Sequence, residues 1–586
     1  SGAIEEYLKD HPHMIDKLLN AIGANKDALN KPTREEVDKC MQYVRKVLPF
    51  NPTPTFLTQL NEPLITAWIH AADDPDKPLA QWLSEGTPAG ITRHAEQTGI
   101  FPPASATDQL QEKVLQEYHA DFKNYDSMES DEHGKELLED LVKKGFVMAF
   151  DKHEDVVKYL GSQPVLSKLA LITTTKDGVT KYRLILDCRV SGSNSRTRKS
   201  ERIILPRAWD VIRDVLGLAS LKQAGDDVEF LVCDFSDAFY MLPLHFDEQR
   251  YYCAVHKGRF YLWTRVVQGS LNGPNTFGRL SALVGRISQG CFDPQELRLQ
   301  IYSDDPCAVL RGRDDRRRVL CCTLLLIWLL LGFDLAYHKA QRGRSITWIG
   351  YSMYLEADLI RVSIKEYYMK EFALLTAALR KDNIVKVREL RSYTGQANHV
   401  AGLLYAWRPF LDALWAALAQ NPAKKSRAPK YFIWRKQVDA SLEWLDIFMK
   451  GQLGKLSREW HYISYVTPAT AMTILLDASP FGLGGILIVE GIIIAYFSSA
   501  LTRHDVDIHN KQIGDSKGQQ VWEALCVLVA LSLWKKEWQN RRVALCLKSD
   551  NTAALVMAAR LKGKGSRALI ARELPLLYSE SSYEPS

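Results

Sequence analysis

Apolar positions recur at helical spacing over much of residues 1–120, with proline-rich breaks at 50–54, 75–78 and 102–103, which predicts a mainly helical region. From about residue 134 the period changes. GKELLEDLVKKGFVMAF predicts a helix that leads into short strand-like runs: SKLALITT (167–174), KYRLILD (181–187), EFLVCD (229–234), RFYLWTRV (259–266) and IYSDDPCAVL (301–310). Helical stretches separate them, an α+β pattern. Helix returns over 355–450, in IKEYYMKEFALLTAALRK and VRELRSYTGQANHVAGLL, and NPAKKSRAPK (421–430) reads as a loop or linker. From 472 a second α/β pattern begins: TILLDAS, GGILIVEG and GIIIAYFSSA are strand-like, QQVWEALCVLVALSLWKK is an amphipathic helix, and VALCLKSD is a further strand. There is no internal repeat and no long low-complexity tract.

A chain of 586 residues exceeds one hydrophobic core. Its composition is ordinary for a globular protein, with 46% hydrophobic and 25% charged residues, and its net charge of +6 is mildly basic. Ten cysteines without a C-x-x-C pair argue against a zinc module and a disulfide framework and point to a reducing compartment. No signal peptide is visible, and the start Ser-Gly-Ala, without Met, reads as a fragment or processed piece. The longest apolar run, 319–333 (VLCCTLLLIWLLLGF), is short for a bilayer and predicts a buried helix. A cytoplasmic or nuclear protein without membrane contact is expected.

Candidate chemistry starts with the Asp-Asp pairs. Asp73–Asp74, Asp226–Asp227 and Asp314–Asp315 lie in polar or proline-rich surroundings and read as solvated turns. Asp304–Asp305 interrupts two apolar runs, as a hairpin tip would. Adjacent carboxylates in an apolar setting repel each other and are costly to desolvate unless cations neutralise them. Seventy residues upstream, Asp234 ends the apolar strand EFLVCD. Alone it reads as a helix cap. With the pair, it fits phosphoryl transfer by two divalent ions, which needs carboxylates converging from adjacent strands.

The blocks around these residues resemble retrotransposon-type reverse transcriptases (LTR, DIRS or gypsy-like), relatives of the retroviral enzymes. LVCDFSDAFYMLPL (231–244) is similar to motif A, QGSLNGPNTFGRL (268–280) to motif B and IYSDDPCAVL to the Tyr-x-Asp-Asp motif C. GFDLAYHKAQ (332–341) is similar to motif D, WIGYSM (348–353) to the primer-grip hairpin and KDGVTKYRLILDCRVSGSN (176–194) to the fingers segment. The resemblance covers roughly residues 134–450. It implies a right-hand polymerase with fingers, a ferredoxin-like palm and a helical thumb/connection, followed by an α/β RNase H-like domain. The expected boundaries are 1–130 for a helical region of unknown role, 131–354 for fingers and palm, 355–465 for thumb and connection, and 466–586 for the RNase H-like domain.

The resemblance also implies roles. Asp234, Asp304 and Asp305 would hold two Mg²⁺ ions, with Mn²⁺ as a substitute, helped by the Phe235 carbonyl. Phe239 stands at the aromatic sugar gate that excludes ribonucleotides; the bland reading is a core Phe at a helix start. Lys176 and Arg183 match basic fingers residues that contact the triphosphate, in a segment (176–207) with nine Lys/Arg against three Asp/Glu. Gln268 and Gly269 would flank the incoming base and sugar. Lys339 is a candidate phosphate contact or proton donor to pyrophosphate. Two departures stand out: Ser303 in motif C, where an apolar residue is usual, and Leu271 in motif B, where Lys is common.

In the C-terminal region a strand-end Asp477, a helix Glu523 and a strand-end Asp550 look like the metal-binding acids of retroelement RNase H. The family's fourth acid has no convincing match in the residues after Asp550; Glu573 and Glu580 are poor candidates. The domain therefore reads as truncated, and its activity stays open. The expected partners are an RNA or DNA template with primer, deoxynucleoside triphosphates and an RNA/DNA hybrid. One alternative is a decayed or domesticated element that binds nucleic acid without catalysis. Another, an RNA-templated RNA polymerase, is disfavoured by Phe239 and the C-terminal domain.

Overall fold

The apolar run at 319–333 forms most of the helix Asp314–Leu330, and nearly every side chain from Leu320 to Trp328 is buried. A helix apolar on all sides must be surrounded on all sides, and this one sits in the largest core of the molecule. The structure, a computed structural model, describes residues 1–24, 31–53, 58–105, 114–119, 121–176, 178–419, 428–429, 431–466, 468–539 and 541–581. The chain forms two units: Ser1–Pro206 with Leu231–Arg342, and Arg207–Phe230 with Gly343–Ser586. Among the described residues no helix is long and apolar enough to cross a membrane.

One four-stranded sheet has the order Leu297–Tyr302, Asp305–Gly312, Asp227–Val232, Gln341–Gly343. In chain order its elements run strand, helix Gly273–Gly290, two hairpin strands, helix Asp314–Leu330, strand. That is a β-α-β-β-α-β connection. A hairpin of Lys168–Lys176 and Val179–Asp187 and a three-stranded sheet of Val147–Phe150, Arg259–Trp263 and Cys253–His256 complete the strands.

The helices of 1–120 stop earlier than their pattern predicts. Five helices, Gly2–Asp10, His13–Ala21, Arg34–Val47, Glu62–Ala71 and Pro78–Glu85, carry the amphipathic spacing. The described residues of 86–119 hold no helix. Gly86, Gly90 and Gly99 take left-handed φ there, and Pro102–Pro103 remove donors. The five helices bury Tyr7, Leu8, Leu18, Leu64 and Leu83 in the same core as the helix Asp314–Leu330.

Ion pairs fasten them too. Asp74, expected in a solvated turn, is buried and accepts two hydrogen bonds of 2.8 Å from Arg286. Asp76 is fully buried against Arg279, whose guanidinium also covers the Trp82 ring at 4.3 Å. Removing one partner of such a buried pair costs about 3–5 kcal/mol. Sequence spacing hides these pairs because they join residues about two hundred positions apart.

In the second unit the WIGYSM segment forms the antiparallel hairpin Ser345–Trp348 with Tyr351–Leu355, turning through Ile349 and Gly350 at φ 42° and 87°. Strands Leu359–Ile364 and Ser457–His461 extend this sheet. Helices Glu366–Leu379, Val387–Leu403, Arg408–Ala419 and Asp439–Met449 follow the expected helical spacing. The loop expected at 421–430 falls almost wholly outside the described residues. A last sheet, in the order Ile492–Ala500, Gly482–Val489, Thr470–Ala478, Val543–Lys548, carries the helix Gln519–Leu533, with Trp522 fully buried.

Candidate functional sites: two acidic clusters

Period-two alternation sets up the first site. Beyond the strand Asp227–Val232, Cys233 and Phe235 point into the core at 2% exposure each, so Asp234 and Ser236 face the other way. The Phe235 ring is packed by Trp328 at 5.4 Å and Phe333 at 4.5 Å. Both edges of this segment are bonded. On one side, Cys233 N–H donates to the Pro306 carbonyl at 3.1 Å and Phe235 N–H to the Asp304 carbonyl at 3.0 Å. On the other, Ala336 N–H donates to the Asp234 carbonyl at 2.9 Å and Ser236 N–H to the Asp334 carbonyl at 2.8 Å. Asp234 thus lies two residues beyond the strand, which ends at Val232 and not at Asp234 as the pattern suggests, and it caps no helix.

The hairpin beside it closes at the pair Tyr302–Asp305, leaving Ser303 and Asp304 as a two-residue turn. Ser303 has φ 58°, a left-handed value that tight hairpins require and β-branched residues resist. Its carbonyl accepts a 2.7 Å hydrogen bond from Ser281 Oγ on the helix Gly273–Gly290.

Burial raises the Asp304 pKa, and the negative charge of Asp234 adds to it. Asp305 is pushed up to about 6, by burial first and then by Asp304 and Asp234. Lys339 opposes both shifts; its Nζ lies 2.8 Å from Asp234 Oδ2. The three carboxylates feel one another, but their oxygens do not all close to within 4.8 Å of one another.

Asp234 and Asp304 open onto a cavity of about 800 Å³ whose walls include Arg183, Phe239, Gln268 and Lys339. Arg183 lies opposite Ile172 in the hairpin of the strand-like runs at 167–187. Lys176 ends the first strand of that hairpin, but its side chain lies outside the described residues. Phe239 is on a single 3-10 turn, Ala238–Met241, not at an α-helix start. Its ring stacks on Phe277 at 5.1 Å. Gly269 has φ 116°, and a Cβ there would stand 3.0 Å from the Leu186 carbonyl. The Gly269 carbonyl accepts from Asn194 Nδ2 at 3.1 Å, and Leu271 N–H donates to Asn194 Oδ1 at 2.9 Å.

Sequence reasoning missed Lys144, Asp237 and Lys31, which line the same cavity. Lys144 sits in Lys-Lys-Gly, which looks like an ordinary helix end. Asp237 offered one signal, its place in an Asp-containing turn after a strand, and it takes φ 51°.

The second acidic site lies in the second unit. Asp477 is on the strand Thr470–Ala478, Asp550 follows the parallel strand Val543–Lys548, and Glu523 is on the helix Gln519–Leu533. One carboxylate oxygen from each lies within 4.8 Å of the others, and no other such group of acids, histidines or cysteines occurs among the described residues. Glu523 is 3% exposed. Burial raises its pKa, and Asp550 and Asp477 add to this against a hydrogen bond from Gln519. Gln519 Nε2 donates to Glu523 Oε1 at 2.8 Å. Glu573 and Glu580 lie on the helix Arg567–Ser581, where Glu580 pairs with Lys535 at 3.1 Å; neither joins the cluster.

No family model and no curated protein matches the sequence. Among solved structures, the chain is similar to a foamy viral protease-reverse transcriptase dRH in complex with double-stranded DNA. That comparison has a TM-score of 0.44 and 14% identity, covering 96% of this chain and 79% of that one. The foamy viral protease-reverse transcriptase with an RNA/DNA hybrid gives 0.43 and 14%, covering 96% and 61%. The same protein with double-stranded DNA gives 0.41 and 14%, covering 82% and 94%.

Proposed function

We propose that this chain is an RNA- and DNA-templated DNA polymerase of the reverse-transcriptase kind, from a retroelement, with an RNase H-like module in its second unit. The observation that carries the reading is the meeting of Asp234 with the Asp304–Asp305 tip at a cavity whose walls also bear Arg183 and Lys339. Acids able to hold divalent cations thus share one space with bases able to hold phosphate, as nucleotidyl transfer requires.

The acids fit divalent ions. Their partial burial and mutual repulsion raise the pKa of Asp304 and Asp305, a cost that bound cations relieve. Asp234, Asp304, Asp305 and the Phe235 carbonyl would hold two Mg²⁺ ions, or Mn²⁺, which when bound activate the primer hydroxyl and neutralise the leaving pyrophosphate. Arg183 binds the triphosphate by its planar guanidinium. Gln268 and Gly269 flank the base and sugar, and the bond from Asn194 fixes that turn. The Phe239 ring, braced by Phe277, fills the space of a ribose 2′-hydroxyl. Lys339, whose Nζ lies 2.8 Å from Asp234 Oδ2, would be the phosphate contact or the proton donor to the leaving pyrophosphate. On this reading residues 131–354 are fingers and palm, 355–465 thumb and connection, and 466–586 the hydrolytic module, where Asp477, Glu523 and Asp550 would hold the ions that cleave the RNA of a hybrid.

The test is primer extension on poly(rA)/oligo(dT) with Mg²⁺ or Mn²⁺ and deoxynucleoside triphosphates. Wild type extends and Asp304→Asn does not. A folded wild type that binds template–primer but never extends it would establish the non-catalytic reading instead.

A further inference from the structure

We infer that Lys144 is a positioning residue for the nucleotide, acting through an ion pair with Asp237; this rests on the polymerase reading above. Asp237 is the pivot of the turn between Asp234 and Phe239. Its backbone is left-handed, at φ 51° and ψ 31°, a conformation that costs an L-residue energy unless its surroundings hold it. The residues on either side are already committed. Phe235 and Ser236 are bonded into the sheet, and Tyr240 N–H closes the turn onto the Asp237 carbonyl at 2.9 Å. The Asp237 side chain decides how the turn leaves the sheet and where it delivers Phe239.

Lys144 Nζ lies 3.0 Å from Asp237 Oδ2 and 3.0 Å from Asp140 Oδ2. It follows the helix His133–Lys143, and its own segment is anchored. Phe146 stacks on Tyr240 at 4.9 Å and 16°, its carbonyl accepts from Thr264 N–H at 3.1 Å, and Val147 pairs with Trp263 in the sheet. Two contacts therefore clamp the 237–240 turn from one side: an aromatic stack at Tyr240 and an ion pair at Asp237. Partial burial works against the Lys144 charge, but the bonds to Asp237 and Asp140 outweigh it and raise the pKa, so the ammonium stays charged.

Asp237 shares its cavity with Asp234, Asp304 and Asp334. Without Lys144 its carboxylate would lose its counter-ion and be repelled by these neighbours. The turn would then swing, carrying the Phe239 ring away from Phe277. Both partners are slightly more than a third exposed, and such pairs add little to stability. The functional consequence is thus separable from unfolding.

Single-nucleotide incorporation with dNTP and rNTP, alongside thermal unfolding, tests this. Lys144→Met is expected to raise KM for dNTP about three- to fivefold with kcat within about twofold, and to weaken discrimination against rNTP. Asp237→Asn is expected to do the same, the double variant to be no worse than either single one, and Lys144→Arg to restore KM to within about twofold. The unfolding midpoint should hold in all four. Unchanged KM and sugar discrimination in Lys144→Met would overturn the inference. So would tighter dNTP binding in Asp237→Asn, which would make Lys144 a direct phosphate ligand held back by Asp237. A wild type that extends no primer removes this inference together with the polymerase reading, whereas an active wild type with a silent Lys144→Met removes the inference alone.

Discussion

The two acidic sites solve one electrostatic problem in opposite ways. In the first unit the carboxylates are spread around an open cavity, and a lysine stands among them, with Lys339 Nζ 2.8 Å from Asp234. In the second, three carboxylates crowd within 4.8 Å, and no Lys or Arg pairs with Asp477, Glu523 or Asp550 among the described residues. Neutral donors attend the buried member instead: Gln519 at 2.8 Å and Ser549 at a marginal 3.5 Å. A site with an internal cation tolerates the absence of metal but must surrender that cation when metal arrives. A site without one holds its repulsion in reserve until ions come. On the proposed reading, the first would suit a cavity that binds triphosphate, where Lys339 would have a phosphate to meet. On the same reading, the second would suit a tight pair of ions.

The largest effect that would break the comparison is separation of activities. Asp304→Asn is expected to cut primer extension by at least about 100-fold while hybrid degradation continues, because lost outer-shell partners alone cost about 10–100-fold at metal sites. Asp477→Asn is expected to do the reverse. Loss of both activities in either variant would mean one folding defect and not two sites. Absence of hybrid degradation in wild type, with extension intact, would mean that Asp477, Glu523 and Asp550 do not suffice for hydrolysis.

A smaller effect sharpens it. Lys339→Met removes the competitor for Asp234 and should raise Mn²⁺ affinity of the nucleotide-free protein by up to about fivefold, the range of a partly exposed ion pair. Electron paramagnetic resonance of free Mn²⁺ measures this without any turnover. Weakened Mn²⁺ binding would show that Lys339 organises the acids and does not screen them.

Smaller again is a pH effect on the metal-free protein. The Asp305 pKa stands at about 6, above the unfolded value near 3.9. A carboxyl with a raised folded pKa binds its proton more tightly when folded. Its charge therefore costs stability as pH rises from about 4 to about 6, and the full cost remains above that window. Asp305→Asn is expected to raise the melting temperature by a few degrees at pH 8 and to leave it unchanged at pH 4. An equal gain at both pH values would trace the effect to packing.

Much of this layout is written in local patterns. The strands at 168–187 and 227–232, the hairpin around Asp304–Asp305, the buried helix within 319–333 and the strand–helix–strand order around Asp477, Glu523 and Asp550 follow the periods of their own residues. What stayed hidden is non-local. The Asp74–Arg286 and Asp76–Arg279 pairs, the core shared by the first five helices, and the clamp of Lys144 on Asp237 join positions that no short window contains. The helical expectation failed over the described residues of 86–119 for a local reason, since the glycines and prolines there outweighed scattered apolar spacing.

The smallest expected effect concerns Phe239. Its ring is only partly buried and rests on Phe277 at 5.1 Å, so truncation opens space toward the cavity without emptying a core. Phe239→Val should therefore raise rNTP incorporation by several-fold and leave dNTP incorporation nearly unchanged, because the steric contact it removes is made only with a 2′-hydroxyl. The readout is the ratio of kcat/KM for the two nucleotides. The Lys144 and Asp237 variants reach the same ring by moving its backbone, so combining either with Phe239→Val should add no further loss of discrimination. An additive loss would place Lys144 on a different part of the nucleotide from the sugar, and would separate the turn's two ends that the first site otherwise joins.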